Sequence, residues 1–206
     1  MFEPTESVAD ELHIAISLPN TVALENGYSI ATNDLTESIL SDIPFDALFV
    51  SGLSPKQSSE LSKICLLHHV EFVVFDNPNN DSTAIRDVVI NLTNKLLSKE
   101  MPNNLDLADI RNLNQSSDYL FAFNSEDAAF NFMRYQQLGV VVGGIYLAHG
   151  DVGLGEYEST NNALLRYFSE KAILCSSFLS VGLSDCTILL GIKSHSEQTI
   201  ITAKKQ

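Results

Sequence analysis

The chain has 206 residues, 45% of them hydrophobic and 18% charged, and a formal net charge of −14. That length holds one large domain or two small ones, and the apolar content is enough for a core, which excludes a disordered chain. So acidic a surface repels nucleic-acid phosphates and anionic lipid, so neither nucleic acid nor membrane is an expected partner; the 12 Lys and Arg residues cluster only at Lys204-Lys205.

Residues 1–11 are acidic and lack the basic-then-apolar order of a signal peptide. No apolar run approaches the ~18–20 residues of a membrane span, so a soluble, cytoplasmic protein is expected. Residues 12–18 read as a first strand, stopped by Pro19-Asn20. Thr32 or Asn33 is the expected cap of a short helix running to Leu40, with Glu37 in its first turn. Residues 45–51 (FDALFVS) form a continuous apolar run, the mark of a strand buried on both faces. Ser54-Pro55 opens a helix to His68, because proline's fixed φ suits the first helical position. Residues 71–75 are the next buried strand, and 76–81 are loop. Asp81 or Ser82 caps a helix whose Ile85, Val88, Val89, Leu92 and Leu96 make one apolar face as far as Leu97. Strands alternating with helices predict an α/β half with a mainly parallel sheet.

The second half has a different grain. Strands are expected at 119–123, 140–147, 172–181 and 186–192, and helices at 125–138 and 157–168. Gly150 to Gly155 reads as a turn, and Gly182-Leu183-Ser184-Asp185 as a hairpin or short turn. The chain thus divides into a first half (1–81), a central helix and link (82–103), and an α+β second half with a mixed sheet (104–206). Phe121, Phe123, Phe130, Phe132, Tyr135 and Tyr167 are expected in the core, or in part on a partner-facing patch. Cys65, Cys175 and Cys186 lie in apolar runs without metal spacing and read as core thiols of a reducing cytosol. His68 and His69 close a helix, where a partly positive imidazole is favoured; adjacent histidines face apart and do not pair on a metal. His149-Gly150-Asp151 resembles a catalytic dyad only superficially, since no serine or cysteine stands in a nucleophile elbow.

After the central helix comes Asn104-Leu105-Asp106-Leu107-Ala108-Asp109. On chemistry alone this is an acidic turn before a helix, with Asp106 or Asp109 as N-cap or first-turn carboxylate. Its context adds a resemblance. Residues 84–111 resemble, without a gap, the central helix of the bacterial tubulin homologue FtsZ and the loop after it. There the helix ends in a proline-containing link, here Pro102, and reads into N-x-D-x-x-D, here Asn104, Asp106 and Asp109. Residues 46–52 resemble the strand entering that family's glycine-rich phosphate loop. Residues 144–158 resemble its strand, glycine turn and helix, and 172–192 its last two strands. Coverage is about residues 45–192, by pattern more than identity outside the six-residue motif.

The resemblance implies a reduced tubulin/FtsZ-like architecture. It also implies that Asn104, Asp106 and Asp109 act only in trans, placing the attacking water on a neighbouring subunit's GTP. A pocket of the chain's own is not expected. The phosphate-loop position reads Ser51-Gly52-Leu53-Ser54-Pro55-Lys56-Gln57-Ser58, with one glycine and a proline that removes an N–H. Gly52, Ser54, Lys56 and Ser58 remain as weak anion-site candidates at a helix N-terminus. No metal or cofactor is expected, GTP being the one nucleotide left open. The expected partner is an FtsZ-type protein or another copy of the chain, and the expected role is regulation of filaments in cell division or cytoskeletal organisation. The alternatives are a divergent polymerising GTPase and a small α/β scaffold with a ligand site that the sequence does not reveal.

Overall fold

The computed structural model describes residues 12–19, 27–98 and 105–195. Asn104, Pro102, residues 1–11 and Lys204-Lys205 lie outside the described residues. Four strands, β1 (Ile14–Ser17), β2 (Tyr28–Ser29), β3 (Ala47–Val50) and β4 (Glu71–Val74), form a parallel sheet in the order β2-β1-β3-β4. Every residue of β1 and β3 is buried, as central strands covered on both faces require. The helix α1 (Glu37–Asp42) starts later than the sequence predicts. Its cap is Thr36, whose hydroxyl accepts from the Ile39 N–H, while Thr32 and Asn33 sit in a 3-10 turn before it. Thr32 is drawn elsewhere, its hydroxyl 3.2 Å from that of Ser17. The helix α2 (Pro55–Leu67) links β3 to β4 as the sequence predicts.

The second sheet contains β5 (Tyr119–Phe123), β6 (Gly139–His149), β7 (Phe168–Leu179) and β8 (Cys186–Ser194) in the order β5-β8-β6-β7. The sheet is mixed: β6 and β7 are parallel, and β8 runs antiparallel to β5 and β6. Gly182 to Asp185 therefore do not close a hairpin. The chain leaves the edge strand β7 and re-enters between β5 and β6. Burial explains the choice: Cys186 through Ile192 are all buried and need neighbours on both sides, whereas β7 alternates with exposed positions such as Ile173.

Two helices on this sheet also differ from expectation. The helix here named α5 (Glu126–Tyr135) stops short of residue 138, because the Gln136 side chain accepts from the Leu138 and Gly139 N–H groups and turns the chain into β6. The helix after β6, α6, spans Leu154–Leu165 rather than 157–168, entered directly from Gly153.

Among the described residues one backbone bridge joins the two sheets. Asp76, just past β4, donates its N–H to Leu120 O and accepts from Ala122 N, both at 2.9 Å. Asn77 locks the junction, its side-chain amide donating to Ala122 O at 2.8 Å. From there α3 (Ser82–Leu97), capped by Asp81, runs under both sheets. The next helix along the chain is α4 (Leu107–Ser116). Ile14, Phe49, Val88, Leu92, Ile110, Leu120 and Leu189 belong to one core cluster, so the two halves share a core. The protein is thus an α/β chain with a parallel and a mixed four-stranded sheet.

Leu92 sits fully buried in that shared core. Leu92→Ala is expected to lower stability by about 3 kcal/mol through lost burial and the cavity left behind. In urea, far-UV and tyrosine near-UV signals should move in one coincident transition, because the core cluster built on α3 takes side chains from both halves.

Candidate functional site

The acidic motif stands at the start of α4. Asp106 is the N-cap: its Oδ1 accepts from the Asp109 N–H at 3.0 Å. Asp109 answers with Oδ2, which accepts from the Asp106 N–H at 3.0 Å. The D-x-x-D spacing thus closes a reciprocal capping box, satisfying two N–H groups that a helix start otherwise leaves unpaired. The other Asp109 oxygen accepts the Cys175 thiol at 3.4 Å, whereas Asp106 is exposed. Asn104 lies outside the described residues.

The seat of α4 is built from both halves. Toward the first, Arg111 Nε donates to Glu71 at 3.0 Å, and the Asn114 amide reaches Glu71 and Phe72 O, each at 3.0 Å. Toward the second, Leu113 lies on two glycines that face each other across β6 and β8, Gly143 and Gly191. A Cβ on Gly143 would come within 2.8 Å of the Leu113 side chain, and one on Gly191 within 2.6 Å. A side chain at either position would force Leu113 to shift. The motif is therefore held in a fixed place on the fold.

Beside it lies a cavity of about 220 Å³ between α4, β6 and β7, bordered by Asp109, Gly143, Lys171, Ile173 and Cys175. Small-molecule pockets begin at roughly 300 Å³, so this one accommodates water or a small group rather than a nucleotide. Burial, and then the neighbouring Asp109 carboxylate, push the Cys175 thiol up to about 11, so it stays protonated and donates. Among the described residues no group of three or more His, Cys, Asp or Glu side chains is placed to hold a metal ion.

The anion candidates do meet at one turn, at the start of α2. Gly52 has φ +72°, and a Cβ there would lie 2.7 Å from Pro19, which accounts for the glycine. Ser54 is the N-cap, in a capping box with Gln57: Ser54 Oγ accepts from Gln57 N at 3.3 Å, and Gln57 Oε1 accepts from Ser54 N at 3.0 Å. Ser58 N–H donates to Ser54 O in the first helical turn. Lys56 is exposed and 3.9 Å from Glu60. The polar groups at this helix start mostly bond one another, and the one cation has a carboxylate beside it.

The sequence reading missed a buried polar network on α3. Asp87 is 2% exposed, although α3 reads as an apolar helix. Its carboxylate accepts from Arg86, from Asn124 Nδ2 at 3.0 Å, and from the Ser184 hydroxyl in a short bond. Burial alone would raise its pKa; the bonds from Ser184, Arg86 and Asn124 outweigh that and hold it below the usual carboxylate range. One turn on, Asn91 donates to Leu183 O and Thr187 Oγ1, both at 3.0 Å, and accepts from Leu183 N at 2.8 Å. His149 completes the chain. Its Nδ1 is 3.0 Å from Ser184 O, which can only accept, so Nδ1 carries the proton; Nε2 then accepts from Thr187 Oγ1 at 3.0 Å. The histidine thus meets the serine's carbonyl and not its hydroxyl. These residues cannot pass a proton from Ser184 to His149 and do not form a catalytic triad. They clamp the turn before β8, where Ser184 adopts φ +65°, onto α3. The sequence signal was available in part: Asp87 and Asn91 are one turn apart on an otherwise apolar face.

Comparison of the sequence with protein-family models gives no match, and neither does comparison with curated proteins.

Two predictions come from this geometry. Asp106→Ala should cost about 1 kcal/mol in chemical denaturation, and Asp106→Asn almost nothing, because asparagine caps as well as aspartate. The second concerns His149, whose pKa burial lowers from an ordinary 6.5. A folded-state pKa below the unfolded one means that the unfolded chain takes up the proton first. His149 therefore contributes stability in full above about pH 6.5 and loses it as pH falls below that value. Urea midpoints measured at about pH 7.5 and 5.5 should drop more in the wild type than in His149→Gln.

Proposed function

We propose that this chain is a reduced FtsZ-like protein without GTPase activity of its own, which binds FtsZ-type filaments, or itself, through the face that carries Asp106 and Asp109. The observation that carries this reading is the succession of elements from α3 onward. The long helix is followed by the acidic motif opening α4, then strand, helix, strand, glycine-containing turn, helix and two closing strands. That is the succession the resemblance implies. Support for the lost pocket comes from α2, whose start is closed by its own Ser54–Gln57 box and by Pro55.

In this reading the chain offers one competent filament end. Asp106 and Asp109 present fixed carboxylates to the GTP of the adjoining subunit, and the opposite end has no nucleotide to offer in return. Added to a growing FtsZ filament, such a subunit caps it.

The test is to add the purified chain, below stoichiometric amounts, to FtsZ polymerising with GTP, and to measure pelleted polymer and phosphate release. The wild type should lower the pelleted polymer. The Asp106→Asn/Asp109→Asn double variant, which keeps acceptors for the cap and loses both charges, should bind filaments but alter phosphate release at the shared site. Unchanged polymer and turnover with the wild type would sink the proposal, as would tight binding of a fluorescent guanine nucleotide by the chain alone.

A further inference from the structure

A second surface stands apart from α4. Asp127, Phe130, Asn131 and Arg134 recur at i, i+3, i+4 and i+7 and so share one face of α5. Ala163, Arg166 and Tyr167, at the end of α6, form the facing wall of an open groove of about 510 Å³. Its floor is aromatic, the rings of Phe130 and Tyr167 lying 6.1 Å apart. The walls are fixed from below: Glu126 accepts from the Thr160 hydroxyl of α6 at 3.0 Å and from the buried Tyr146 of β6.

The charge in this groove runs against that of the molecule. The chain has four arginines, Arg86, Arg111, Arg134 and Arg166, within a net charge of −14. Arg86 pairs with Asp87 and Arg111 with Glu71. Among the described residues neither Arg134 nor Arg166 forms an ion pair, and both line this groove. Both stand at helix C-termini, where the dipole favours a cation. The dipole explains each charge singly; it does not explain why the two converge beside an aromatic floor. Arg134 is also held in place, its guanidinium 5.9 Å from the centre of the Tyr135 ring. The Tyr167 and then the Tyr135 hydroxyl oxygens, as acceptors for the guanidinium, raise its pKa further.

We infer that the groove between α5 and α6 docks an acidic peptide segment of a partner protein, carboxylates on Arg134 and Arg166 and an aromatic side chain on Phe130 and Tyr167. Guanidinium forks bind carboxylates in two-pronged fashion, and a pre-positioned arginine loses less freedom on binding. Asp127 gives the groove a direction: it lies seven residues from Arg134, roughly 10 Å along the helix, so the acidic end of the peptide belongs at the arginines. A short peptide keeps its charge within the groove. A nucleic acid would extend its phosphates over the acidic surface around it, beyond the ~8 Å screening length.

The test is fluorescence anisotropy with a labelled peptide that alternates glutamate and phenylalanine, titrated with the full chain at low salt. The overall charge repels this probe, so binding reports a local basic site. The wild type should bind. Arg134→Glu/Arg166→Glu should weaken binding by at least about tenfold, and the milder Arg134→Gln/Arg166→Gln pair should also weaken it. Lys63→Glu, the charge reversal of an exposed lysine on α2, should leave it unchanged. Absence of binding, an equal loss with Lys63→Glu, or tighter binding of a labelled oligothymidylate would overturn the inference.

Discussion

The union of the two halves depends on the burial of α3. Sixteen residues long, it has apolar side chains facing both sheets, with Val88, Val89 and Leu92 completely buried. Fully burying side chains of this size contributes about 1.5–3 kcal/mol each, and no single four-stranded sheet covers them all. The parallel sheet supplies Ile14 and Phe49, and the mixed sheet supplies Leu120 and Leu189. The backbone link at Asp76 sets the sheets edge to edge so that one helix can serve both.

Polar residues on the same helix make the arrangement specific. An apolar face tolerates sliding, whereas a buried Asp87 or Asn91 left without partners costs about 1–3 kcal/mol or more. Their partners lie in the second half, on Asn124, Leu183, Ser184 and Thr187. Asp87 and Asn91 therefore select one position of the turn before β8. That turn delivers β8 between β5 and β6 rather than beside β7. The polar network thus acts together with the burial of β8, whose residues 186–192 need neighbours on both sides.

What was legible in the sequence was local. Ser54-Pro55 and Asp81 announced α2 and α3 because capping is decided within four residues, and the apolar run of β3 declared itself as a buried strand. What failed was non-local or finely balanced. The order β5-β8-β6-β7 depends on contacts between distant strands, so a short turn was open to being read as a hairpin. The bond from Asn91 to Thr187 spans 96 residues, and no pattern in a window around Asn91 reveals it. Thr32, Asn33 and Thr36 are all credible caps, and the choice of Thr36 was made by where the helix packs. The acidic motif was legible as a cap, because D-x-x-D before a helix is a local signature; what a neighbouring molecule does with it is not encoded in those six letters.

Capping and a role in trans make compatible demands on the same two residues. The box engages one oxygen of Asp106 and one of Asp109, and in doing so fixes both side chains relative to α4. A carboxylate that must orient a water on another molecule gains from that restraint, since a free side chain would have to be ordered at each encounter. The two residues then differ in what they can offer. Asp109 is half-buried and already receives the Cys175 thiol, which leaves it the poorer acceptor for an outside water. Asp106 is exposed at the helix tip, with the glycine-seated α4 holding it to both sheets. In the proposed role, Asp106 is therefore the better placed of the two to meet an outside water, with Asp109 holding it in position.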